Sequence, residues 1–103
     1  TTHKADTFAE GMATRVPAET TLEIMRELMD DVILVSDAQL RQACYSTLKQ
    51  THNLAEGAGA GPLAAAYKHR QRFHGQKVVG ILSGGNLDLA ELPKILEAGE
   101  RGL

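Results

Sequence analysis

This sequence has no tryptophan, and its aromatics are two Tyr and two Phe among 103 residues. Any core must therefore be filled by Leu, Ile, Val, Ala and Met. One cysteine, Cys44, excludes an internal disulfide framework and a multi-cysteine zinc site. No apolar run approaches the roughly 20 residues that span a bilayer, and no charged-then-apolar signal segment opens the chain. A dominant charge is missing too. The net charge of -2 gives nucleic acid or anionic lipid no reason to bind the molecule as a whole. There is no initiator Met, and Thr1–Lys4 is polar, without a cap or strand signal. What remains, 43% hydrophobic and 23% charged, is enough for one small globular domain. The compartment these absences predict is reducing and soluble, most simply the cytoplasm.

The hydrophobic pattern alternates in kind along the chain. Leu22, Met25, Leu28 and Met29 form a helical stripe, with Thr20 and Glu23 spaced for a capping box behind Pro17. Asp30 and Asp31 oppose the dipole at that helix's end, so the chain must leave it there. It enters Val32-Ile33-Leu34-Val35, a short run of buried-strand type. Ser36 and Gln39 begin a second helix, with a stripe at Leu40, Ala43, Cys44, Thr47 and Leu48 and Asn53 as its C′ residue. Pro62 suits the first turn of a third helix through Leu63, Ala66, Tyr67 and Arg70, stopped by Gly75. Lys77 to Leu82 reads as a second strand. A last helix covers Ala90 to Ala98, its start contested between a box at Asp88 and Glu91 and the first-turn preference of Pro93.

The order α, β, α, α, β, α predicts an α/β fold with helices packed on a short parallel sheet. Only two strands are clear, with Ala13 to Val16 a weak third. Two parallel strands leave both edges unpaired and cannot form an independent sheet. On this ground alone, the segment is expected to lie against more protein.

Three features could carry chemistry. Ser83-Gly84-Gly85-Asn86 follows the second strand, where ligands bind in open α/β sheets; Ser83 would project its hydroxyl into the crevice while the glycines admit a ligand to the backbone. The same residues would equally serve a strand-to-helix turn capped by Ser and Asn. Glu56 to Gly61 could offer backbone N–H groups to an anion at a helix mouth, although a flexible, closely packed helix start is the simpler account. It is not a dinucleotide fingerprint, since no strand immediately precedes it. Lys68-His69-Arg70-Gln71-Arg72 is basic, but it ends a helix in an acidic chain and reads as a solvated face. The four histidines lack metal-ligand spacing, and no metal site is expected. Cys44 lies on an apolar stripe and reads as core.

Four motifs in order, Thr7-Phe8-Ala9-Glu10-Gly11, Arg26-Glu27-Leu28-Met29-Asp30-Asp31-Val32, Glu56-Gly57-Ala58-Gly59-Ala60 and Leu82-Ser83-Gly84-Gly85-Asn86-Leu87-Asp88, resemble the closing third of the catalytic region of threonine/serine dehydratases. These are pyridoxal-phosphate enzymes of the tryptophan-synthase-β fold type (fold type II), with serine racemase among their relatives. The resemblance runs from about Thr7 to Leu92. It implies that residues 1–103 are a partial segment of one catalytic domain, with no second domain.

The parent would convert L-threonine or L-serine to a 2-oxo acid and ammonia. The resemblance places Ser83 on the pyridine nitrogen of pyridoxal phosphate, Gly84 in the same pocket wall, Gly11 beside the cofactor through its backbone, and Glu56 near the ring. A neutral hydroxyl does not hold that nitrogen protonated, so the ring withdraws electrons mildly, which suits loss of the α-proton and then the β-hydroxyl. Where the family usually has Ala-Asp-Gly, this chain has Ala9-Glu10-Gly11.

The family's cofactor-anchoring lysine, in a serine-x-lysine-x-arginine-glycine segment, is absent, as are its glycine-rich phosphate loop and the acidic stretch that binds a divalent ion in some members. Lys4, Lys49, Lys68, Lys77 and Lys94 have no such context. The segment is therefore expected to hold no catalytic residue, to be inactive alone, and not to bind the cofactor by itself. Its expected partner is the remainder of the catalytic domain or a complementary chain, within an oligomer. The alternative is a non-catalytic remnant that pairs with another chain through its strand edges or apolar helix faces.

Overall fold

The computed structural model describes residues 2–102. Helix α1 (Glu19–Leu28) forms where the apolar spacing predicts it, but without the expected box. Its N-cap is Ala18, which leaves Thr20 already inside the first turn, where its side chain cannot cap. Beyond the helix, the Asp31 carboxylate accepts the Val32 N–H at 2.8 Å and pairs with Arg72 at 3.2 Å. These two partners, the amide first, hold its pKa below the usual carboxylate value.

Helix α2 (Asp37–Thr51) begins with the capping box read from the sequence. The Gln39 N–H donates to the Ser36 hydroxyl, and the Ser36 N–H donates to the Gln39 side chain. The C-cap is His52, which leaves Asn53 at C′ as expected, but the left-handed conformation falls on His52, at φ 59°, and the Asn53 side chain folds back onto Thr51. Helix α3 (Gly61–Lys68) carries Pro62 in its first turn and is shorter than expected, giving way to turns that run to Gly75 at φ 75°. The two signals near residue 90 fall to two successive elements, and the box expected from Asp88 and Glu91 does not form, the Glu91 carboxylate pairing with Arg41 and Lys94. Asp88 caps a 3-10 turn (Leu89–Glu91) by accepting the Ala90 N–H at 3.0 Å, and Pro93 sits in the first turn of helix α4 (Leu92–Arg101).

The expected sheet is not formed. Among the described residues there are only helices, and Ala13–Val16, 32–35 and 77–82 belong to no strand. Ile33 and Val35 line one groove of about 440 Å³, and Val78, Gly80, Ile81 and Leu82 another of about 450 Å³, with Pro62 bordering both. No backbone hydrogen bond joins the two runs among the described residues. A strand exists only through a ladder with a neighbour. These runs have strand composition but no neighbour, so the α/β reading fails at the sheet while the helices stand. The cost shows at the surface: Leu34 is 79% and Val79 88% exposed, where a strand buried on both faces would hide them.

Packing is confined to one side. Helix α2 lays Leu40, Ala43, Cys44 and Thr47 against α3 and α4, whose buried members are Ala64 and Ile95. Ala9, Ala55 and Ala60 complete a core that is mostly alanine. Burial pushes the Cys44 thiol up to about 11, so it stays protonated as a core residue. Helix α1 contributes nothing buried; Ile24, Met25, Leu28 and Met29 are all exposed. The result is a slab of 39 × 36 × 20 Å exposing 7687 Å². A self-contained protein of this mass exposes about 5,700 Å². The excess is the area of faces designed to be covered.

Helices α2 and α4 meet where the Tyr45 ring lies on Gly99; a Cβ there would fall 2.1 Å from Cγ of the ring. In the protein carrying this segment, Gly99→Ala is therefore expected to lower stability by about 1–3 kcal/mol through overpacking, despite alanine's better helix propensity. Thermal unfolding checks this, and an unchanged or raised midpoint would contradict the close crossing.

Candidate functional site

Three loops converge at the end of the slab nearest the α3 N-terminus: residues 7–12, 56–61 and 83–88. Each is drawn in by a different local device. The Thr7 hydroxyl donates to Asp37 in the first turn of α2 and accepts the Ala9 N–H at 3.2 Å, and a 3-10 turn over Glu10–Met12 follows. The Glu56 loop closes on itself, with the Ala60 N–H on the Glu56 carbonyl at 3.0 Å. The third loop is tied to the second directly, since the Glu56 N–H donates to the Gly84 carbonyl at 3.2 Å.

Glycine makes this approach possible at two facing positions. A Cβ on Gly59 would stand 2.4 Å from the Gly84 carbonyl oxygen, and a Cβ on Gly84 would stand 2.4 Å from Glu56 Oε1. The Glu56 carboxylate thus lies over the Gly84 backbone. Gly11 approaches the same loop from the other side, with a Cβ there reaching 3.0 Å from the Ala58 methyl. The four residues singled out from sequence are distributed accordingly. Glu56 and Gly84 touch, Gly11 is one residue removed through Ala58, and Ser83 is brought in by its bond to Gly84.

Ser83 is exposed, and its hydroxyl takes part in no hydrogen bond among the described residues. The capping duty that would explain it as a turn residue falls to Asp88 instead. Glu10, exposed, faces a pocket of about 70 Å³ shared with Phe8, Glu56, Leu87 and Asp88. Its extra methylene relative to aspartate is therefore accommodated at the surface.

This arrangement fits one edge of a flat heteroaromatic ring. It offers a neutral hydroxyl free to meet a ring nitrogen, bare glycine backbone that lets a ring approach, and a carboxylate alongside. It does not fit the whole of pyridoxal phosphate. Lys4 pairs with Asp6, Lys94 with Glu91, and Lys68 with the Leu34 carbonyl, while Lys49 lies over the Tyr45 ring, so these amines are spent on surface contacts.

Sequence reading missed the residues that hold the loops together. The Arg41 guanidinium stacks on the Phe8 ring, 4.4 Å from its centroid, and pairs with Glu91 at 3.4 Å. Phe8 in turn packs on Gly57, where a Cβ would meet the ring at 2.8 Å. The available signal was Asp37 and Arg41 at i and i+4, one face of α2 lying beside its apolar stripe.

Known proteins resemble this chain in sequence and in fold. A family model described as pyridoxal-phosphate dependent enzyme matches residues 1–84. The chain is 40% identical over 93 residues to an L-threonine ammonia-lyase of Geobacter sulfurreducens, covering 90% of this chain and 23% of that protein. It is 38% identical to a catabolic L-threonine dehydratase of Escherichia coli, covering 92% and 30%. Among solved structures, the processed form of threonine deaminase isoform 2 from Solanum lycopersicum superposes with a TM-score of 0.86 at 31% identity, over 97% of this chain and 28% of that one. The chain thus spans roughly a quarter to a third of the length of the proteins it matches.

The two glycines are predicted to differ. Gly59→Ala puts a methyl against a backbone oxygen that cannot move without separating the loops, whereas Gly84→Ala meets only the tip of the Glu56 side chain, which can swing away. Gly59→Ala should cost about 1–3 kcal/mol and Gly84→Ala clearly less. Denaturant titration of both variants reads the order; equal costs would mean that the Gly59–Gly84 contact does not set the loop spacing.

Proposed function

Since this chain belongs to the pyridoxal-phosphate dependent enzyme family, we propose that it forms one wall of the cofactor pocket of a threonine/serine dehydratase, the enzyme that converts L-threonine or L-serine to a 2-oxo acid and ammonia. When bound, the cofactor supplies an electron-withdrawing ring conjugated to the substrate's α-carbon. This chain's share of the chemistry is positional and electrostatic. Ser83 holds its hydroxyl at the pyridine nitrogen, and being neutral it leaves that nitrogen unprotonated. Gly84 and Gly11 let the backbone lie close to the ring. Glu56, fixed by its own N–H on the Gly84 carbonyl, keeps a carboxylate at the ring's edge and sets the distance between the two loops. The observation that carries this reading is the exposed, unengaged Ser83 hydroxyl beside the Glu56–Gly84 contact.

The lysine that anchors the cofactor and the loop that cradles its phosphate would come from the remainder of the catalytic domain. The exposure of Val32, Leu34, Val79 and Ile81 supports a partner of that kind, because a neighbouring strand would cover them and satisfy their backbones. The same observation would serve a non-catalytic module pairing with another chain. The Ser83 loop, which such a module has no use for, favours the enzyme.

Two measurements test the proposal. The 103-residue chain alone, given pyridoxal phosphate and L-threonine, should release no ammonia, and turnover by it would refute the division of roles. In the full-length protein, Ser83→Ala should weaken cofactor binding by about tenfold, the worth of one hydrogen bond in a desolvated site. A variant with wild-type affinity and absorption spectrum would remove Ser83 from the ring nitrogen.

A further inference from the structure

Asp37 and Arg41 lie one turn apart in α2, so both side chains leave the same face of the helix. Each holds the loop that carries Gly11, but at a different point. Asp37 accepts the Thr7 hydroxyl, and Arg41 covers the Phe8 ring at 4.4 Å. Phe8 transmits that hold to the second loop, because its ring rests on Gly57 with no room for a side chain between them, immediately before Ala58 and after Glu56. Arg41 also reaches the third loop's continuation through Glu91, at 3.4 Å, in a pair whose side chains are only 23% and 18% exposed. One face of one helix therefore holds the first loop directly, reaches the second through the Phe8 ring, and meets the turn that follows the third. Helix α2 is the right anchor, since its start is fixed by the Ser36–Gln39 box and its length by the core.

The pairing is not there for stability alone. Arg41 Nε is buried without a hydrogen-bond partner, a cost that an apolar residue of similar length would avoid. A planar guanidinium suits a position where one group must lie flat on an aromatic ring and pair with a carboxylate at once; a lysine ammonium is a single point charge that cannot do both in that geometry. Resting on the function proposed above, the geometry points to Asp37 and Arg41 as positioning residues that set the Gly11 and Glu56 loops at the spacing the cofactor ring requires. Neither residue needs to touch the cofactor.

The test uses the full-length protein carrying this segment, titrated with pyridoxal phosphate by absorbance and fluorescence, with amide hydrogen exchange on the cofactor-free form. Arg41→Met keeps the packing stem and loses both the stack and the ion pair. Its dissociation constant should rise about tenfold, the bound cofactor's absorption maximum should shift, and exchange at Gly11 and Gly57 should quicken. Arg41→Lys, which retains the pair with Glu91, should fall between Arg41→Met and wild type. Gly99→Ala serves as the destabilised control, with a lower midpoint but wild-type affinity. Arg101→Ala, at the exposed pair with Glu97, should match wild type throughout.

Wild-type affinity and spectrum in both Arg41 variants would overturn the inference while leaving the function intact. So would affinity losses that simply follow the thermal midpoint, as shown by the same loss in Gly99→Ala. Failure of the wild-type protein to take up the cofactor would overturn the proposed function itself, and the positioning role with it.

Discussion

An extended backbone must give its N–H and C=O groups to a neighbour, and this requirement organises the whole molecule. Residues 32–35 and 77–82 carry β-branched side chains on both faces, as a central strand does, yet neither run has a ladder among the described residues. Helix α1 has an apolar stripe with nothing against it. The helices that do pack, α2 with α3 and α4, close over a core of small residues that could not hold a sheet of its own. The excess surface, the missing ladders and the unpartnered helix share one cause. Each of these elements presents apolar surface or backbone that nothing among residues 2–102 covers.

That incompleteness bears on function because the candidate site lies beside the packed core, which buries Ala9, Ala55 and Ala60. The three loops hold each other through backbone contacts made possible by glycine, and they are tied to the best-anchored helix through Asp37 and Arg41. A pocket wall can be prebuilt in this way while the extended runs of the same chain remain unpaired. The chemistry divides along the same line. A hydroxyl, a carboxylate and bare backbone are present here, whereas the covalent anchor and the phosphate cradle are expected elsewhere.

Much of the local structure was legible because it is encoded locally. Ser36 and Gln39 declare the start of α2, Pro62 the first turn of α3, and the spacing of Leu22, Met25 and Leu28 the helix α1. Of the rival signals near residue 90, Pro93 marks the first turn of α4, while Asp88 caps the preceding 3-10 turn without the box expected from Glu91, whose side chain is drawn to Arg41 and Lys94. The sheet was not recoverable, because β-branched composition reports a preference for pairing and cannot supply the partner. The motifs around Gly11, Glu56 and Ser83 gave the family, and their grouping became visible only in the contacts of Gly59 with Gly84 and of Gly11 with Ala58. Arg41 went unnoticed because its role depends on the Phe8 ring far before it in the chain and on Glu91, 50 residues after it, a juxtaposition no periodicity announces.

The central claim is that the two extended runs are strands awaiting neighbours. Amide hydrogen exchange along 32–35 and 78–82, compared between the 103-residue chain and the full-length protein, measures it most directly. The account predicts rapid exchange in the short chain and strong protection in the long one, with α2 protected in both. Rapid exchange of these amides in the full-length protein would contradict it.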